Sequence, residues 1–164
     1  LTSNPEYRHA LGYDAHPFRE GRTLYLCGVR IDSATGLDGN SDADAALHAL
    51  MDALLGAASL GDIGVLFPPD DPACRDQRST ELLQRVLVHI REQRPTLRLT
   101  FLDMTIICRT PRLQPFREAL QRSLCQILTL SPDRVSVKFG SGNSLGFPGR
   151  GEGIAAFASV TVTL

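Results

Sequence analysis

The order in which hydrophobic periodicity changes along this chain is what most narrows its possible folds. Two strand-like stretches come first, around residues 7–15 and 23–30, with the turn-forming pair Glu20-Gly21 between them. They predict a hairpin. From Ser41 to about Ala58 the pattern becomes helical: Ser41 with Asp44 reads as a capping box, and Leu47, Leu50, Met51, Leu54 and Leu55 recur on one face. A long irregular connection follows, holding Gly61-Asp62-Ile63-Gly64 and Phe67-Pro68-Pro69-Asp70-Asp71-Pro72. Such connections often carry function. A second helix fits Ser79 to about Gln93, with Leu82, Leu83, Val86, Leu87 and Ile90 apolar and Pro95 as its stop. Leu97–Cys108 is β-rich, and its apolar end from Met104 predicts a buried central strand. A third helix runs from about Pro115 to Ser131-Pro132, and strands follow at Arg134–Phe139 and Ile154–Leu164. The order β-β-α-α-β-α-β-β has too few helices to cover both faces of a sheet. It predicts an α+β two-layer sandwich with helices on one face of a mixed sheet, as a single domain over residues 1–164. The open sheet face needs a partner, so an oligomer is expected.

Composition excludes several classes. Hydrophobic residues are 43 % and charged residues 21 % of the 164, which fits a soluble globular chain and not a disordered one. No apolar run reaches the roughly 18–20 residues of a spanning helix, and residues 1–8 lack the pattern of a signal peptide. The expectation is a cytoplasmic protein that binds neither membrane nor nucleic acid, since the net charge is −1. That small value hides a split. Residues 1–71 carry 11 acids against 4 arginines, while residues 72–164 carry 7 acids against 13 bases. From Ile31 to Cys74 there are eight aspartates and no Lys or Arg. Such a window is either a solvated acidic face or a place where a cation offsets the repulsion. The four cysteines, Cys27, Cys74, Cys108 and Cys125, have no metal-knot or redox-pair spacing and read as reduced, mostly buried thiols.

Asp14 and His16 are two apart, so in a strand they share a face and can share an ion. On the first helix Asp44, His48 and Asp52 stand at i, i+4 and i+8, one polar stripe beside the apolar one. His48 supplies a third ligand, with a carboxylate one turn away to orient it. One carboxylate, two imidazoles and an open position describe a catalytic zinc site, or a site for another divalent transition metal. Asp42 and Asp44 equally suit a helix N-terminus with no metal at all. His9 and His89 have no such company. The stretch Gly140–Gly153 holds six of the fourteen glycines and offers small hydroxyls and exposed N–H groups, either to a phosphate or merely to tight turns.

Four collinear blocks then carry a resemblance: Gly12-Tyr13-Asp14-Ala15-His16, Ser41 through Leu50, Gly61-Asp62-Ile63-Gly64, and Leu145 through Gly153. Together they resemble the 2-C-methyl-D-erythritol 2,4-cyclodiphosphate synthase family of the non-mevalonate isoprenoid pathway. The resemblance implies a homotrimer packed through its sheets, with active sites between neighbouring subunits. It also implies a substrate, 4-diphosphocytidyl-2-C-methyl-D-erythritol 2-phosphate, whose 2-phosphate attacks the diphosphate and expels CMP. The nucleophile belongs to the substrate, so positioning and charge neutralisation dominate catalysis. Carried over by position, Asp14, His16 and His48 become zinc ligands. Asp62 and Gly64 hold the methylerythritol part, with Phe67, Asp70 and Asp71 in the closing loop, and Ser41 is a further substrate-binding residue. Cys108, Thr110, Arg112 and Leu113 receive the cytidine nucleotide, and Phe147 and Arg150 fall near the trimer axis, where Glu152 is an ionic partner.

The departures fall on phosphoryl transfer. Asn40 stands where the family has a histidine, and Asn143 where it has a glutamate that helps hold Mg²⁺ or Mn²⁺ on the diphosphate; Ser141 keeps the hydroxyl of a phosphate-contacting threonine. An amide brings no charge, so the second cation should bind more weakly. The leading expectation is therefore a zinc-assisted cyclodiphosphate synthase. The alternatives are a catalytically impaired paralogue that binds a nucleotide or isoprenoid diphosphate, and a zinc hydrolase of another phosphoester.

Overall fold

Side-chain alternation along two long strands builds the layers of the molecule. The computed structural model describes residues 6–68 and 77–164. In chain order its elements are β1 (Tyr7–Glu20), β2 (Leu24–Leu26), β3 (Val29–Ile31), β4 (Thr35–Leu37), α1 (Ala45–Ala58), α2 (Ile63–Leu66), α3 (Ser79–Gln93), β5 (Arg98–Ile107), α4 (Arg117–Leu128), β6 (Val135–Gly140), α5 (Gly146–Arg150) and β7 (Gly153–Thr163). The main sheet has the order β4-β1-β7-β5-β6, antiparallel throughout except for the parallel pair β5–β6. It is the mixed sheet of an α+β sandwich.

β7 lies at the centre, paired with β1 from Tyr7↔Thr163 to Pro17↔Gly153 and with β5 on its other side. Ile154, Ala156, Ala158, Val160 and Val162 point into the core with Leu102, Met104 and Ile106 of β5, all fully or nearly fully buried. The opposite face carries Tyr7, Leu11 and Tyr13 of β1, Phe101 of β5 and Phe157 of β7, which are between 37 % and 67 % exposed. β5 is thus interior to the sheet, between β7 and β6, as its apolar end predicts, with Leu102, Met104 and Ile106 buried on the helix-facing side and Phe101 on the open one.

The helical layer is held close by small residues. α1 contains Ala45, Ala46, Ala49, Ala53, Ala57 and Ala58 and is buried almost all round, between the sheet and α3. At Gly12 of β1 the approach is so tight that a Cβ would lie 1.9 Å from the Ala49 carbonyl oxygen and 2.6 Å from the Ala53 nitrogen. Only glycine allows this crossing, and it brings the first turn of α1 over the strand that bears Asp14 and His16. α3 spans the residues its periodicity predicts, and α4 begins after a single 3₁₀ turn, Gln114–Phe116, with Pro115 inside it.

Two local expectations fail. Residues 7–15 and 23–30 do not form a hairpin with each other: β1 runs on to Glu20 and pairs with β4 and β7, while β2 and β3 pair together around Cys27-Gly28, both at positive φ. Glu20-Gly21 turns the chain, but the strands it separates are not partners. Ser41 is not the cap of α1 either. That place belongs to Asp44, whose fully buried carboxylate accepts from the N–H groups of Leu47 (3.1 Å), Cys27 (3.0 Å) and Gly28 (2.7 Å). One side chain therefore caps the helix and holds the β2–β3 turn against it.

Candidate metal centre and the residues around it

Asp14 and His16 occupy consecutive inward positions of β1, and His48 meets them from the first turn of α1. Asp14 Oδ2 lies 2.8 Å from His16 Nε2 and 3.2 Å from His48 Nδ1, and the two imidazole nitrogens are 3.2 Å apart. Three donors bound at about 2.0–2.1 Å round a tetrahedral ion would be about 3.3 Å from one another. The buried Asp14 Oδ2 accepts no well-directed hydrogen bond, although both rings are close. The three ligand atoms lie close enough together to be shared by one ion, which fits a divalent cation.

The electrostatics agree. Burial alone would raise the Asp14 carboxyl pKa, but the two imidazoles outweigh it and hold the group well below the usual carboxylate range. Burial likewise opposes the charged form of His16, and the Asp14 carboxylate more than offsets it. His16 is oriented by its other nitrogen, since Nδ1 is 2.6 Å from the Asp38 carbonyl oxygen and must donate to it. Nε2 is then left as the free donor atom.

The stripe Asp44–His48–Asp52 does not act as a unit. Asp44 is turned away as the helix cap, and Asp52 accepts from the backbone N–H of Ile63 at 2.8 Å, tying α2 to α1. Burial leads the rise in the Asp52 pKa, partly opposed by that bond. The partners of His48 Nε2 are two hydroxyls, Ser79 Oγ at 3.0 Å and Ser41 Oγ at 3.3 Å.

A cavity of about 170 Å³ opens beside the donors, lined by His16, Asn40, Ser41, His48, Met51, Ile63, Phe67, Pro68 and Leu82. It unites Asn40, Ser41 and Phe67 with the imidazoles. Asp62 caps the short α2 and is exposed, with Gly64 on that helix. Asp70 and Asp71 lie outside the described residues, as do Pro69 and Cys74. Met51 and Leu82 read in the sequence only as apolar helix positions and Ile63 only as part of the Gly61–Gly64 block, so nothing there marks them as lining a site.

The remaining candidates form a second group at the edge of the sheet. Cys108 N–H donates to the Gly140 carbonyl at 2.8 Å, and Arg109 reaches the Gly149 carbonyl at 3.3 Å, so 108–113 and 140–150 lie together. Thr110 precedes a cis proline, Pro111; Leu113 is buried and Arg112 exposed. Ser141 Oγ donates to Asn143 Oδ1 at 3.1 Å and accepts from the Asn143 N–H at 3.2 Å. Asn143 has φ 49°, a conformation asparagine tolerates better than glutamate. Phe147 sits on α5, and Arg150 makes two bonds of 2.7 and 3.1 Å to Glu152. None of this group lines the cavity beside the donors.

Fold and donor set define the class: an α+β sandwich whose sheet and covering helix present three ligands suited to a divalent metal. The chain belongs to the YgbB family, whose model matches residues 7–163. It is 48 % identical over 147 residues to the 2-C-methyl-D-erythritol 2,4-cyclodiphosphate synthase of Symbiobacterium thermophilum, covering 90 % of this chain and 92 % of that protein. A bifunctional enzyme IspD/IspF of Bartonella henselae is 45 % identical over 158 residues; these cover 96 % of this chain but span only 39 % of that relative's length. Among solved structures, a 2C-methyl-D-erythritol-2,4-cyclodiphosphate synthase in a CDP-bound form superposes with a TM-score of 0.86 at 39 % identity, covering 94 % of this chain and 99 % of that one. No helix among the described residues is long and apolar enough to cross a membrane.

Proposed function

We propose that this chain converts 4-diphosphocytidyl-2-C-methyl-D-erythritol 2-phosphate into 2-C-methyl-D-erythritol 2,4-cyclodiphosphate and CMP. The observation that carries the reading is the convergent Asp14–His16–His48 donor set beside a small, mostly apolar cavity, in a chain so similar to a synthase of this name. Zn²⁺ held by those three side chains would act as a Lewis acid on a phosphate oxygen. The chain's own residues do the positioning. Met51, Ile63, Phe67 and Leu82 offer an apolar wall to the methylerythritol carbons, with Asp62 and Gly64 next to it. Ser41 and Asn40 present a hydroxyl and an amide to the reacting phosphates, and Ser141 and Asn143 do the same from the second group. These neutral donors orient phosphate oxygens but add no charge, so Mg²⁺ or Mn²⁺ travelling with the diphosphate has to balance more of it. Cys108, Thr110, Arg112 and Leu113 would take the cytidine nucleotide, a reading supported by the CDP-bound relative.

The separation of the two groups supports a site shared between copies of the chain. Tyr7, Leu11, Tyr13, Phe101 and Phe157 leave an apolar sheet face exposed, and pairing it with two further copies gives a homotrimer in which one subunit's donors meet another's nucleotide segment. Phe147 and Arg150 would then approach the axis. Cys27, Cys108 and Cys125 are unpaired thiols, which suits a reducing compartment such as the cytoplasm. The test is direct: incubate the protein with the authentic substrate, Zn²⁺ and Mg²⁺. Release of CMP together with the cyclic product supports the reading. No CMP at any metal concentration overturns it, and CMP with a linear product would mark a phosphoester hydrolase instead.

A further inference from the structure

On the side of His48 away from the metal donors runs a short chain of buried polar groups. Ser79, the first residue of α3, is fully buried, and its Oγ lies 3.0 Å from His48 Nε2. The same Oγ makes a short hydrogen bond to Asp42 Oδ1, and the Ser79 backbone N–H donates to that oxygen at 3.1 Å. Asp42 is almost fully buried; its other oxygen accepts from Arg78 Nε at 3.0 Å, and the Arg78 guanidinium lies 4.0 Å from the ring centre of Tyr25. The Asp42 N–H also donates to the Gln77 carbonyl at 3.2 Å, so residues 41–44 and 77–79 are laced together.

Proton counting fixes the direction of this chain. A carboxylate paired with arginine can only accept, so the single hydroxyl proton of Ser79 goes to Asp42. Ser79 Oγ can then face His48 only as an acceptor, which requires a proton on His48 Nε2. The lone pair is thereby confined to Nδ1, the atom aimed at Asp14 and His16. Ser41 Oγ, at 3.3 Å, accepts from the Ala43 N–H and has no carboxylate behind it to impose the same choice. Outer contacts of this kind set both the tautomer and the basicity of a ligating imidazole.

We propose that Asp42 and Ser79 are a positioning pair that sets the metal affinity of the centre through the tautomer of His48. The pair also joins the start of α3 to the metal ligands, so a displacement of residues 77–79 is felt at Nδ1. The proposal rests on the divalent-metal reading of the triad, and a binding measurement separates the two. Metal-free wild type, Ser79→Ala, Asp42→Ala and the double variant are titrated with Zn²⁺ against a chromophoric chelator. Each single variant is expected to bind about 10- to 100-fold more weakly. The double variant should bind no more weakly than the weaker single, because both substitutions break one chain. Ser79→Thr, which keeps the hydroxyl, should restore most of the affinity, a rescue that a role confined to starting α3 does not predict. Melting of the metal-free proteins reports folding independently. Zn²⁺ affinity of Ser79→Ala within twofold of wild type, or single losses that multiply in the double variant, would overturn the proposal. If Ser79→Ala does not fold, Asp42→Ala decides on the same twofold criterion. Wild type that fails to bind one Zn²⁺ per chain refutes the metal reading itself, whereas normal wild-type binding with unaffected variants refutes only the pair.

Discussion

Replacing Asp44 tests the account of how α1 is set in place. Its carboxylate is fully buried and serves three N–H groups at once, those of Leu47, Cys27 and Gly28. Asp44→Ala removes a helix cap, which costs about 1 kcal/mol. It also leaves two further N–H groups without partners, at about 1–3 kcal/mol each, with Gly28 nearer the low end because it is only half-buried. The sum is about 3–5 kcal/mol, or a fall in Tm of roughly 10–15 °C for a chain this long. Asp44→Asn is the informative control. Its amide oxygen can keep Leu47 and Cys27, the two donors that share Oδ1, but its NH₂ would face the Gly28 N–H. About a third of the full loss is expected, on the order of 1–2 kcal/mol. Urea and thermal unfolding of the metal-free proteins measure both variants without a contribution from bound ion. If Asn costs as much as Ala, or Ala costs less than about 1 kcal/mol, the three-bond account is wrong.

Other outcomes follow from the same geometry. Gly12→Ala places a methyl inside contact distance of two backbone atoms of α1; overpacking of this kind costs about 3 kcal/mol or more, and calorimetry should show it together with weakened Zn²⁺ binding as His48 is pushed off Asp14. His48→Ala should abolish stoichiometric zinc measured by elemental analysis; a variant that keeps its zinc would show the ligand assignment to be wrong. Leu11→Asp, on the open sheet face, should reduce the sedimentation mass to that of a single chain. Asn40→His combined with Asn143→Glu should raise the rate of CMP release severalfold, with unchanged turnover meaning that neighbouring groups already neutralise the phosphates.

How much of this was written in the sequence depends on the range of the interaction. α3, α4, β6 and β7 were legible because each buries one regular face, and Asp14 with His16 because a strand places i and i+2 together. The three-residue strands β2 and β3 were not legible: they carry too little pattern, and a cysteine at positive φ before Gly28 is no recognisable turn signal. The orientation of Asp44 and Asp52 was misread because helix spacing says which residues share a face, not which neighbours reach in to claim them. Ser79 was hidden for a different reason. It looks like any serine at a helix start, and its partners Asp42 and His48 lie more than thirty residues away. The split charge of the two halves did carry information, since the arginine-free window contributes Asp42, His48 and much of the cavity wall, and Arg78 just beyond it answers Asp42.

The pairing of β1 with β7 also predicts an order of assembly. The strand bearing Asp14 and His16 is flanked along most of its length by residues 153–163, more than 130 positions later. Contacts of such long sequence separation form slowly. During refolding the helix bearing His48 can form early from its own neighbours, while the strand bearing the other two ligands has no lasting place until β7 arrives. Zinc affinity, followed in time, should therefore appear with the last phase of folding and not with the helices.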